Sequence, residues 1–142
     1  WNFCANTNVY STANLWLNNI YTSNNIIANT YVYGSNATTV TQTTSRTTSV
    51  TANGISGQII GYSASAFAHG TGYVFTVNNS SVLHPSDIVF VSVQSTTCPI
   101  LQVSVANTRV CSFDVAVFNA SPGGNDAAYT ANINFGIIRV GS

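Results

Sequence analysis

Over the C-terminal two-thirds of this chain, apolar side chains fall on every second residue. Tyr73, Phe75 and Val77 form one such set, and Val89, Val91 and Val93 another. Leu101, Val103 and Val105 follow, then Cys111, Phe113, Val115 and Val117, and finally Ile133, Phe135 and Ile137. A period of two places each set on one face of a β-strand, and no stretch sustains the 3.6-residue period of an amphipathic helix. Turn-forming residues separate the runs, as at Asn53-Gly54, His84-Pro85 and Ser121-Pro122-Gly123-Gly124-Asn125. The pattern predicts strands over 45–52, 55–62, 73–78, 88–94, 100–106, 110–118 and 132–140, with a hairpin turning near Asn107-Thr108. Short alternating strands in this number build an all-β domain, an antiparallel β-sandwich of jelly-roll-like form.

Some of these strands are apolar on both faces. In 88–93, Ile88 and Phe90 oppose Val89, Val91 and Val93. One face packs the sandwich core, and the other needs cover that a subunit interface supplies. Charge does little to keep such a surface in solution. Only 4% of residues are charged, against about 25% in ordinary soluble domains. Three Arg balance three Asp, and Lys and Glu do not occur. A neutral chain of this kind carries no electrostatic footprint for nucleic acid or for an anionic membrane. Hydrophobic residues at 45% argue against disorder. No apolar run approaches the ~20 residues that would span a bilayer.

The first 44 residues differ in character. Asn8-Val9-Tyr10, Asn14-Leu15-Trp16, Asn19-Ile20-Tyr21 and Asn25-Ile26-Ile27 repeat an Asn followed by two apolar residues. The spacing suits short strand-and-turn units, which bury their apolar residues by stacking or by winding chains together. Three chains about one axis leave no exposed sheet edge. The expected organisation is a β-repeat shaft and neck over 1–44 and a sandwich tip over 45–142, assembled as a homotrimer. The alternative for the first region is an irregular arm lying on the domain. A chain that opens on Trp1 rather than Met reads as the C-terminal piece of a longer protein. Three Cys cannot all pair. A Cys98–Cys111 bridge does not fit the expected hairpin register, and buried free thiols suit folding in a reducing cytoplasm.

Side chains for catalysis are scarce. Asp87, Asp114 and Asp126 are the carboxylates available to paired acid–base chemistry. Of these, Asp87 is expected to cap a turn, Asp114 to lie on the outward face of a strand, and Asp126 to sit in a loop. His69 and His84 lie in loops away from any nucleophile pattern, and with three scattered Cys they offer no metal-ligand spacing. The expectation is a non-enzyme without cofactor or metal. Arg46, Arg109, Asp87 and Asp114 are expected to serve as interface or turn partners. Recognition of a surface asks for aromatics and amides on exposed loops of a rigid scaffold. Phe67 and His69 in one loop, and Asn125, Asp126 and Tyr129 in another, are of those types. Packing on the domain is the alternative for Phe67 and Tyr129.

Five ordered motifs carry a family likeness. They are Thr44-Ser45-Arg46-Thr47-Thr48-Ser49-Val50, Gly57-Gln58-Ile59, Phe75-Thr76-Val77-Asn78-Asn79, Ser86-Asp87-Ile88-Val89-Phe90-Val91 and Asn134-Phe135-Gly136-Ile137-Ile138-Arg139. Together they resemble the C-terminal domain of phage tail-fibre and head-fibre proteins, and the Asn-rich start resembles the β-structured shafts of such fibres. The low charge departs from that pattern. The resemblance implies a trimeric fibre tip in a virion, assembled in the host cytoplasm. It also implies joining to other virion proteins through the missing N-terminal part and attachment to a host surface glycan or protein receptor. A free-standing lectin-like or pilus-type adhesin domain is the alternative, and a hydrolase or lyase tailspike fragment is disfavoured by the few carboxylates.

Overall fold

A computed structural model describes residues 37–62, 66–94, 100–122 and 130–140. The repeats expected to form a shaft lie outside the described residues, as do Cys98, Asn125, Asp126 and Tyr129. The described chain is all-β. Its strands are β1 (Thr38–Thr41), β2 (Val50–Thr51), β3 (Ser56–Ile60), β4 (Gly72–Asn78), β5 (Ile88–Gln94), β6 (Leu101–Arg109), β7 (Ser112–Asn119) and β8 (Asn132–Ile138). They form two four-stranded sheets, in the orders β1-β3-β8-β5 and β2-β4-β7-β6.

The alternating runs meet between the sheets as expected. Ile59, Ile133, Phe135 and Ile137 face inward from one sheet, and Phe75, Val77, Phe113, Val115 and Val117 from the other, all buried. The Phe113 and Phe135 rings bridge the two layers with centroids 5.6 Å apart. Burial of whole Phe, Ile and Val side chains, at about 1.5–3 kcal/mol each, is what holds the layers together.

Four expectations need correction. The sheets are mixed rather than antiparallel, because β1 pairs parallel with β3 and β2 parallel with β4. Each strand still reverses the direction of the one before it. The chain switches sheets at every step from β1 to β6, so neighbours two apart in sequence run the same way. The segment 45–52 is a strand only at Val50–Thr51. Ahead of it a turn forms, with Thr48 N–H donating to Ser45 O (3.2 Å) and Ser45 N–H to Thr48 Oγ1 (3.0 Å); short hydroxyl side chains compete here with sheet pairing. The hairpin turns at Val110-Cys111, not at Asn107-Thr108, because a bulge at Ala106 shifts the register and β6 continues to Arg109 opposite Ser112. The expected neck also contributes β1 to a sheet, on the N-terminal side of the 44/45 boundary.

These connections sort to two ends of the sandwich. The turn after β1, the 66–71 segment and the residues following β7 gather at one end, the loop end. The 52–55 turn, the 79–87 loop and the β6–β7 hairpin gather at the other.

Candidate functional site

At the loop end, the structure draws Phe67 inside. Its ring is buried, tilted against Tyr73 at 5.1 Å, with the Arg46 guanidinium 5.1 Å above it. Arg46 Nη1 also donates to Ala66 O (3.2 Å), and the Asn119 amide donates to Phe67 O (2.8 Å). Phe67 thus belongs to the scaffold and drops out of the expected receptor-facing set. Burial raises the Tyr73 hydroxyl above its usual range, with the Arg46 charge working the other way. His69 stays exposed in the turn that Gly70 closes at φ 71°. The second expected loop starts and returns at this same end, through Pro122 and Thr130.

The buried polar side chains hold loops rather than substrates. Gln42 donates to Arg46 O (3.1 Å) and Thr48 O (2.8 Å) and accepts from Tyr62 N–H (3.4 Å). Asn119 Oδ1 accepts from Ser121 N–H (3.0 Å), and Ser121 Oγ from Ile100 N–H (3.0 Å). Asp87 does the same at the opposite end, as expected of a turn cap. Its carboxylate accepts from Leu83 N–H (2.9 Å), His84 N–H (3.0 Å) and Val140 N–H (3.1 Å). Burial pushes this carboxyl up, but the three N–H donors outweigh it and hold the group below the usual range.

Across the hairpin, Arg109 grips Asp114 in a two-pronged pair at 2.6 and 2.7 Å, and Thr76 Oγ1 donates to the same carboxylate (2.8 Å). The Arg109 hydrogen bonds hold the Asp114 carboxyl low against its partial burial. Asp87 and Asp114 are each engaged by their own neighbours. Among the described residues no group of three His, Cys, Asp or Glu side chains gathers as a metal site. Cys111 is exposed rather than buried, in the hairpin turn at φ 63°.

Two outward surfaces remain: the apolar second face expected at Ile88 and Phe90, and a groove on the other sheet that sequence reasoning centred on loops did not single out. On the β1-β3-β8-β5 sheet, Ile88, Phe90 and Ile138 stand 55%, 52% and 47% exposed. Ile88 faces Ile138 across the ladder, and Phe90 faces Gly136. The Phe90 ring lies where a Cβ on residue 136 would be, so only glycine permits that approach. The signal for this surface was the opposite parity of Ile88 and Phe90. On the other sheet, strand alternation turns Gly72, Val74, Ala116, Phe118, Gln102 and Ser104 outward around a groove of about 700 Å³. Comparisons with protein-family models, with curated proteins and with solved structures returned no match to this chain.

Proposed function

We propose that this chain is a structural component of a viral fibre, a homotrimer that carries a β-sandwich tip to the host surface. The observation that carries this is the uncharged apolar strip of Ile88, Phe90 and Ile138 beside the edge strand β5. β5 reads Ile-Val-Phe-Val-Ser-Val-Gln, without a charge, Pro or Gly to discourage pairing. In a chain of zero net charge, such an edge invites association, and closed symmetry satisfies it without open-ended growth. The ordered motifs from Thr44 to Arg139 and the Asn repeats support the fibre assignment. Their likeness to virion appendages makes the virion the proposed location and a host receptor the proposed partner.

Light scattering on the purified chain tests the assembly. The expected mass is three times the 15.0 kDa of one chain, and Phe90→Asp is expected to shift it toward one. A folded wild-type monomer overturns the trimer and favours a free-standing adhesin.

A further inference from the structure

From the outer face of the β2-β4-β7-β6 sheet we infer a binding site for an uncharged oligosaccharide, an inference that gives the proposed attachment function its ligand class and location. The register lays this face out in rows across β4, β7 and β6. Gly72, Phe118 and Gln102 form the first, and Val74, Ala116 and Ser104 the second. Thr76, Asp114 and Asn107 form the third. Small side chains at Gly72, Ala116 and Ser104 leave the groove of about 700 Å³ between larger ones. That is the size of a small-ligand site, and its lining has the usual mixture of apolar walls with a few polar groups.

Sugars offer two surfaces, C–H faces that stack on aromatic rings and hydroxyl edges that exchange hydrogen bonds. Phe118 supplies an aromatic wall, 42% exposed, and Val74 an apolar one, 49% exposed. The exposed Gln102 amide and Ser104 hydroxyl stand beside them as donors and acceptors. Charge selects within the class. The ionised groups on this face, Arg109 and Asp114, neutralise each other at 2.6 Å. An anionic glycan therefore finds no unmatched cation here, and an uncharged one meets no penalty. A second copy of the chain is the poorer occupant, since a dry interface would strand the Gln102 and Ser104 polar groups. The wholly apolar Ile88–Phe90–Ile138 strip is better suited to self-association.

The test is binding of the full chain to a printed array of neutral and acidic oligosaccharides, with the light-scattering mass recorded alongside. Wild type is expected to bind neutral members. Phe118→Ala and Gln102→Ala are expected to weaken that binding about tenfold or more, with mass and circular dichroism unchanged. Ala116→Phe, which fills the groove, is expected to abolish it. Binding confined to acidic members, or no binding by a folded wild type, overturns the inference while leaving a measured trimer intact. A change of mass rather than of binding in Phe118→Ala also overturns it, by making the face a subunit contact. A monomer that binds neutral glycans through these residues retains the site and removes the trimer.

Discussion

Single polar residues set the local geometry of this sandwich, and each does so through backbone groups. Asn119 is fully buried and serves Phe67 O and Ser121 N–H at once. Replacing it with Ala strands both, and an expected loss of about 2–3 kcal/mol follows from the cost of unsatisfied buried groups. Chemical denaturation of Asn119→Ala measures this directly. Among the described residues, Asp87 and Asp114 make the fold sensitive to acid. Both carboxyls sit below the ordinary 3.8, so the unfolded chain takes up protons first as pH falls. Their stabilisation is therefore complete above about 3.8 and is lost as pH drops through the lower folded values. Melting curves recorded from about pH 7 down to about pH 2 should be flat at first and then fall. Asp87→Asn should reduce the fall and lower the melting temperature at neutral pH, because an amide is the weaker acceptor for three N–H groups.

Among the elements, the β6–β7 hairpin is the pair of successive strands that stays within one sheet. Its turn is held from outside. Val82 O accepts from Cys111 N–H, and Cys111 O accepts from Asn79 N–H, both at 2.8 Å. Those contacts keep Cys111 at φ 63°, a conformation that costs a non-glycine residue about 1–2 kcal/mol. Cys111→Gly should relieve part of that and stabilise by about 0.5–1 kcal/mol, read as a higher melting temperature. A decrease would mean that the side chain contributes contacts which outweigh the backbone cost. Gly136 on β8 poses the reverse case. Gly136→Ala puts a methyl group where the Phe90 ring rests, and because that ring is half exposed and can swing outward the cost should stay below about 1 kcal/mol. The same denaturation experiment reports it.

For the molecule as a whole, the core is a contact between distant parts of the chain. Phe135 on the last strand packs against Phe113 across the layers, and β3 and β5 both pair with β8. Phe135→Ala should cost about 3–5 kcal/mol by opening a cavity between the sheets. Every sheet pairing except the hairpin closes a long loop, so refolding is expected on the millisecond-to-second scale of non-local β-proteins. Stopped-flow circular dichroism in the β-sheet band follows it. A microsecond phase carrying the full amplitude would contradict that topology.

Period-two alternation by itself determined that the described chain is all-β, where most strands run, and the centre of the core at Phe75, Val77, Phe113, Val115, Val117, Ile133, Phe135 and Ile137. Such alternation is a local property, set by which face of each strand avoids water. The turn-capping role of Asp87 was legible for the same reason, since the partners Leu83 and His84 are near in sequence. Tertiary structure alone decided the parallel pairings of β1 and β2, because local sequence does not encode which sheet a strand joins. It alone decided that Phe67 turns inward beneath Arg46, because the Tyr73 and Asn119 contacts come from elsewhere in the chain. The groove beneath Phe118 likewise exists only once Gly72, Ser104 and Ala116, small residues from three strands, lie side by side, and no window of sequence contains all three.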